Sequence, residues 1–355
     1  MAAALAAAIL VLPVTSQAIS AQRAILMDAQ TGRVLYEKCA DERSLIASTT
    51  KIMTALIICE QCNVLDRVRI PKEAVGIEGS SMYLTEGEVL TVQELLYGLM
   101  LRSGNDAAVA LAIYCGGTVE GFAQLMNDKA HRLGLSGSHF ENPHGLDSPA
   151  HYSTARDMAV LAAYAMNNPI FYRTVSAKTA KTADRVLQNH NKLLWRVEGA
   201  DGVKTGFTKA AGRILVSSAT RQGRRLIAVT INAPDDWNDH SKLLEDGFQR
   251  YTIKQLVTQG EVVGAIEVAG GTQERVSLVA NADFSYPLAE GEKPRLVMKN
   301  SGFVYAPAVQ GKQAGYIYIC LGDTAVGKVP VVYGQNVEQQ PTERRNFWTK
   351  LFGGN

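Results

Sequence analysis

Ser48 and Lys51 stand three residues apart at the head of the apolar run Ile52-Met53-Thr54-Ala55-Leu56-Ile57-Ile58. Residues at i and i+3 share a helix face, so a helix opening here sets the Ser48 hydroxyl beside the Lys51 amine. The positive end of its dipole favours negative charge developing near Ser48. The run is apolar on every side, which marks a helix buried inside a domain. An ammonium entering such a core is costly, so its pKa falls, and a neutral amine next to a serine is a general base. That is the chemistry of an activated hydroxyl nucleophile. A lone Ser-x-x-Lys arises about once by chance in a chain of ordinary composition, and a lone lysine here reads equally well as a snorkelling side chain. Two further groups follow it in order, Ser103-Gly104-Asn105 and Lys204-Thr205-Gly206.

The elements that must position these groups are legible from periodicity. Arg23 to Asp28 and Arg33 to Lys38 flank a turn and predict a β-hairpin. Val68 to Pro71 predicts a brief strand and turn. Thr91 with Glu94 forms a capping-box pattern that opens a helix through Met100. That helix runs into Arg102-Ser103-Gly104-Asn105-Asp106 and resumes over Ala107 to Tyr114. Such a polar break presents side chains to a cleft, although Asn105 or Asp106 would serve equally as a plain helix cap. Helices are also expected over Gly121 to Leu133 and Thr154 to Met166, with a turn-rich loop at Glu141 to Asp147 that is given no catalytic part. Three strands with tight turns, Gly202 to Thr208, Arg213 to Ala219 and Arg224 to Ile231, imply antiparallel pairing. A last helix is expected over roughly Asp239 to Leu256. The fold class is therefore α/β of the α+β kind, an antiparallel sheet built from both ends of the segment with a helical insert between. From Val262 to Tyr333 the pattern is short alternating strands, a separate small all-β domain.

At 355 residues and a net charge of +2, the chain has room for two domains and nothing that points to nucleic acid as a partner. Met1 to Val14 is almost entirely apolar and is followed by small residues, which reads as a secretory signal over 1–20 without the usual basic start. Domain expectations are then 21–258 for the catalytic segment, 259–335 for the all-β domain and 336–355 for a tail. In that tail Phe347, Trp348, Leu351 and Phe352 share a helical face flanked by Arg344, Arg345 and Lys350, resembling a short interfacial membrane anchor. The five cysteines, including Cys59-x-x-Cys62, form neither a disulfide framework nor a metal cluster, and buried small hydrophobes are the expected role.

Ala47-Ser48-Thr49-Thr50-Lys51-Ile52-Met53-Thr54-Ala55, Ser103-Gly104-Asn105-Asp106-Ala107, Asn142-Pro143-His144-Gly145-Leu146-Asp147 and Asp201-Gly202-Val203-Lys204-Thr205-Gly206-Phe207-Thr208 together resemble the penicillin-recognising serine acyl-transferases. Within that group the chain is most similar to the low-molecular-mass penicillin-binding proteins, the serine-type D-alanyl-D-alanine carboxypeptidases. The resemblance spans about Ala21 to Tyr333 and implies a β-lactamase/transpeptidase-like catalytic domain. It implies Ser48 as nucleophile, Lys51 as base, Ser103 as proton relay and Asn105 as the residue that holds Lys51 and the substrate amide. It further implies that Lys204 and Thr205 bind the terminal carboxylate and that Gly206 admits the substrate along the strand edge. The backbone N–H groups of Ser48 and Phe207 would form the oxyanion hole; the family often has His where Phe207 stands, which implies altered substrate fit. His190, at a variable basic position, is given no role. No cofactor and no metal are implied. The implied partners are stem peptides ending in D-Ala-D-Ala and β-lactam antibiotics, at the outer face of the cytoplasmic membrane or in the cell wall, and the text after Thr208 resembles a Gram-positive member. The rival readings are a β-lactamase, which in class A would add a Glu-x-x-Leu-Asn element that is missing here, a D-Ala cross-bridge endopeptidase using the same site, and a non-catalytic wall scaffold.

Overall fold

Long runs of buried residues between 200 and 231 resolve into three antiparallel strands covered on both faces, β7 (Ala200–Thr208), β8 (Gly212–Arg221) and β9 (Arg224–Ile231), in a computed structural model that describes residues 18–182 and 184–341. The expected signal segment and anchor tail lie largely outside the described residues. The chain divides into two compact units, Met1–Phe248 and Gln249–Asn355.

In the first unit, β1 (Arg23–Asp28) and β2 (Val34–Lys38) form the expected hairpin, and β1 pairs antiparallel with β9. The resulting five-stranded sheet has the order β2-β1-β9-β8-β7, so strands from both ends of the segment close one sheet around a helical insert. Successive residues of β1 point to opposite faces, as the pleat requires. Ile25 and Met27 join the core beneath the helices, whereas Ala24 and Leu26 join the one beneath the last helix, α7 (Asp236–Arg250), with Leu243 and Leu244. His240 ties α7 to the sheet, between Ser217 Oγ at 2.6 Å and Thr230 Oγ1 at 2.9 Å, and burial pushes its imidazole down to about 3.

The insert begins with α1 (Lys51–Gln61), whose Ile52, Met53, Leu56, Ile57 and Ile58 are all fully buried. A two-stranded ribbon of β3 (Arg67–Arg69) and β4 (Val89–Thr91) leads into α2 (Val92–Leu101). The capping box is formed: the Glu94 N–H donates to Thr91 Oγ1 and the Thr91 N–H to the Glu94 carboxylate. After the break come α3 (Asn105–Gly116), α4 (Val119–Arg132), α5 (Ala155–Ala165) and α6 (Pro169–Ser176). Thr118, Thr154 and Asn168 each cap the helix that follows with a side-chain oxygen. A second ribbon, β5 (Thr179–Lys181) with β6 (Val186–Gln188), closes the insert.

Two expectations need correction. Ser48 does not open the α-helix; it sits in a 3-10 turn, Ala47–Thr50, that runs directly into α1 at Lys51. The expected helix over Asp239 to Leu256 starts earlier and ends at Arg250, and the second unit opens with a strand, β10 (Tyr251–Val257). Tyr251, Thr252, Ile253 and Val257 are residues that fit a pleated surface, and β13 (Phe284–Ala289) offers them an antiparallel partner. Of the cysteines, Cys59 is buried as expected, while Cys39 is exposed and Cys62, Cys115 and Cys320 are half-buried.

The second unit is all-β. Its larger sheet has the order β14-β16-β17-β12-β11-β15, using β11 (Val262–Ala269), β12 (Arg275–Ala280), β14 (Arg295–Asn300), β15 (Phe303–Tyr305), β16 (Gln313–Leu321) and β17 (Thr324–Tyr333). It has its own core, including Val276, Leu278, Ile317, Ile319, Val329 and Val331.

Candidate active site

Ala47 adopts φ +45°, a left-handed conformation that an L-residue holds only under constraint. The constraint is local: the Thr49 N–H and hydroxyl both donate to the Ile46 carbonyl, at 3.1 and 2.5 Å. This tight turn swings Ser48 out of the helical path and half-exposes it, while Lys51, at the first position of α1, is fully buried.

The Lys51 Nζ has three neighbours within hydrogen-bond reach, Ser48 Oγ at 2.9 Å, Asn105 Oδ1 at 2.6 Å and the His144 carbonyl at 2.7 Å. Burial lowers the Lys51 pKa well below the ordinary lysine range, the Lys204 charge lowers it further, and Asp106 opposes the shift. A neutral amine has two N–H donors and one lone pair. The Asn105 and His144 oxygens can only accept, so they take both N–H groups and leave the lone pair facing the Ser48 hydroxyl. The orientation of the Asn105 amide is set by its other end, whose Nδ2 donates to the Glu78 carbonyl at 2.5 Å. The arrangement can therefore remove a proton from Ser48.

Asn105 is brought to Lys51 by the break between α2 and α3. Ser103, at φ +62°, turns the chain there and is buried beside the cleft. Asp106, left open at the sequence level as a plain cap, accepts from the N–H groups of Met82, Leu84 and Ala107 and from the Ser81 hydroxyl. Its carboxylate thereby fixes the 80–84 loop against the start of α3.

The loop at 142–147 was given no catalytic part, yet it supplies the His144 carbonyl to Lys51. Asn142 Oδ1 accepts from the His144 and Gly145 N–H groups, its Nδ2 donates to the Leu146 carbonyl, and the Leu146 N–H donates to His144 Nδ1. That last bond places the His144 proton on Nε2. Burial, with the Lys51 charge in second place, pushes the His144 imidazole down to about 3. Turn composition and a place among the four stretches that carry the resemblance were the signals for this loop, but neither marked the carbonyl; a contact through a backbone oxygen leaves no mark on residue type.

Lys204, Thr205, Gly206 and Phe207 lie on β7, the last strand of the sheet. Lys204 is buried, its Nζ donates to the Thr205 carbonyl at 2.9 Å, and burial pushes it down to about 7. A Cβ on Gly206 would lie 3.3 Å from Ser48 N and from the Ile46 carbonyl, so the glycine lets the strand pass close to the turn that carries Ser48. Phe207 is 64% exposed. Ser48, Ser103, Thr205, Gly206 and Phe207 all line one cleft of about 800 Å³. His190 also borders it, its pKa lowered by burial and then by the Lys204 and Arg102 charges. Among the described residues no group of three or more His, Cys, Asp or Glu is placed to hold a metal ion.

Residues 11–235 match the family model for D-alanyl-D-alanine carboxypeptidase, and residues 251–339 match that for the penicillin-binding protein 5 C-terminal domain. The chain is 33% identical over 341 residues to the D-alanyl-D-alanine carboxypeptidase DacF of Bacillus subtilis, covering 90% of this chain and 86% of that protein. It is 34% identical over 345 residues to the D-alanyl-D-alanine carboxypeptidase DacC of Escherichia coli, covering 92% and 86%. The crystal structure of penicillin binding protein 5 from Haemophilus influenzae superposes with a TM-score of 0.78 at 31% identity, covering 92% of this chain and 100% of that one.

Proposed function

Because the chain belongs to the D-alanyl-D-alanine carboxypeptidase family, we propose that its reaction runs through a Ser48 acyl-enzyme with Lys51 as the base. The enzyme is a serine-type D-Ala-D-Ala carboxypeptidase, a hydrolase that removes the terminal D-alanine from peptidoglycan stem peptides and binds β-lactams. The named relatives support this reading over the β-lactamase and wall-scaffold alternatives.

In the proposed mechanism the Ser48 oxygen attacks the carbonyl carbon of the penultimate D-Ala as Lys51 accepts its proton. The backbone N–H groups of Ser48 and Phe207 stabilise the oxyanion. The proton passes through Ser103 to the nitrogen of the departing D-alanine as the C–N bond breaks. Water then adds to the ester, with Lys51 again the base, and frees Ser48. Lys204 and Thr205 receive the terminal carboxylate, whose charge would raise the Lys204 pKa back towards the ordinary lysine range. The open edge of β7 lets the substrate lie as an added strand.

We assign catalysis to residues 21–258 and treat 259–335 as a separate all-β domain. We also place the enzyme outside the cytoplasmic membrane, exported by the 1–20 segment and held at the surface by the 336–355 tail.

The observation that carries the mechanism is the Lys51 amine, fixed by two carbonyl oxygens with its third direction on Ser48. The test is D-alanine release from a peptide ending in D-Ala-D-Ala, beside a Ser48→Ala control. The expected result is release by the parent protein and none by the variant, with a covalent penicillin adduct on the parent alone. Release that persists in the variant would remove Ser48 from the mechanism.

A further inference from the structure

The whole chain is nearly neutral, with 36 Lys and Arg against 34 Asp and Glu. The cleft is not. Arg102, Lys192, Arg196 and Arg213 border it, with Asp236 as the one acidic residue among them. Arg213 is already engaged: its Nη2 donates to both Asp236 oxygens, at 2.7 and 2.9 Å. Arg102, Lys192 and Arg196 have no acidic partner within ion-pair distance among the described residues. The cleft thus concentrates more uncompensated positive charge than the net charge of the entire protein.

These cations are positioned by the fold. Arg102 is the C-cap of α2 and immediately precedes Ser103. Lys192 and Arg196 stand at the start and just past the end of the 3-10 turn Lys192–Trp195. That turn is fixed at both sides: Asn191 Nδ2 donates to the Gly202 carbonyl of β7 at 2.7 Å, and the His190 N–H donates to the Leu101 carbonyl of α2 at 3.2 Å. The backbone that carries the three charges therefore holds a fixed relation to Ser103 and to the Lys204 strand, and the exposed side chains of Lys192 and Arg196 reach out from it.

We propose that Arg102, Lys192 and Arg196 form a subsite for carboxylates of the stem peptide other than the one that Lys204 and Thr205 receive. The substrate class is then an acidic stem peptide, ending in D-Ala-D-Ala, whose internal side carboxylates are free rather than amidated. This deepens the carboxypeptidase reading and rests on it. A cleft of one sign attracts the opposite charge through space and raises the encounter rate, and an arginine fork adds directed hydrogen bonds to a carboxylate.

The test measures kcat/KM for D-alanine release by the full chain on two otherwise identical pentapeptides, one with free internal carboxylates and one amidated. Three partly exposed ion pairs predict a preference for the free peptide of about tenfold at low salt, shrinking as salt is added. The triple variant Arg102→Gln, Lys192→Gln, Arg196→Gln is expected to bring the ratio of the two values close to one, mainly through KM on the free peptide. Arg102 borders the catalytic break, so the single variant Arg196→Glu, on an exposed residue, gives a second reading, with the ratio lowered by charge reversal. Release from both peptides at equal kcat/KM by the parent protein would overturn this inference and leave the carboxypeptidase reading standing. A preference that survives in both variants would overturn it too. No release from either peptide would overturn both.

Discussion

At the scale of single residues, the site turns on which form of Lys51 faces Ser48. Its pKa is depressed, so the neutral amine is the form present above that lowered value, and activity is lost as pH falls through it. Asn105→Asp would put a carboxylate where the amide oxygen now lies 2.6 Å from Nζ. A charge there stabilises the ammonium, so the Lys51 pKa rises and the acid limb of kcat/KM moves to higher pH by roughly one to three units. A pH–rate profile reads the shift directly, and an unmoved limb would take Lys51 out of the role of base. Ser48, Lys51 and Asn105 were legible because their chemistry resides in side chains at telling intervals. The His144 carbonyl was not, since any residue offers the same oxygen. Nor was the pairing of Arg213 with Asp236, which leaves Arg102, Lys192 and Arg196 as the uncompensated charges of the cleft: that depends on contacts between segments far apart in the chain.

At the scale of elements, the site is assembled by turns packed on turns. Gly145 adopts φ +88°, and a Cβ there would meet the Ala47 carbonyl oxygen at 1.9 Å, directly behind Ser48. Gly145→Ala is therefore expected to lower stability by about 2 kcal/mol or more and to slow penicillin acylation by displacing both Ser48 and the His144 carbonyl. Denaturant melts and acylation rates on the same sample check both halves. The long elements were readable because period and cap agree, as in β8, β9 and the Thr91–Glu94 box of α2. Two readings slipped for physical reasons. The i, i+3 spacing of Ser48 and Lys51 suits a 3-10 turn as well as an α-helix, so the pair could be placed but the turn could not. The text past Arg250 allows α7 to continue, but β13 supplies a partner for Tyr251 to Val257, from Ala289 opposite Tyr251 to Phe284 opposite Val257, and that contact between distant segments decides for a strand.

At the scale of the molecule, two units have separate cores, and Ser48, Lys51, Ser103, Asn105 and Lys204 to Phe207 all belong to the first. Ile319, fully buried on β16, belongs to the second. Ile319→Ala is expected to cost about 2–5 kcal/mol through lost transfer energy and the cavity left behind, and calorimetry should show the loss in the transition of the second unit. Penicillin acylation at low temperature should be unchanged; a matching fall in acylation would show that the first unit leans on the second. The open edge of β7 has a consequence at this scale as well. A strand that ends a sheet is a template for an extended chain wherever its outer backbone groups are free, and edges are ordinarily guarded by charge, proline or a bulge; on β7 the Gly202 and Thr205 carbonyls are already taken by Asn191 and Lys204. Here the strand's own lysine is buried, and burial pushes its pKa down to about 7, so it guards the edge poorly. If the substrate seats along β7 as proposed, colloidal behaviour and occupancy are linked: the bound peptide would cover the edge by which one molecule could otherwise template another.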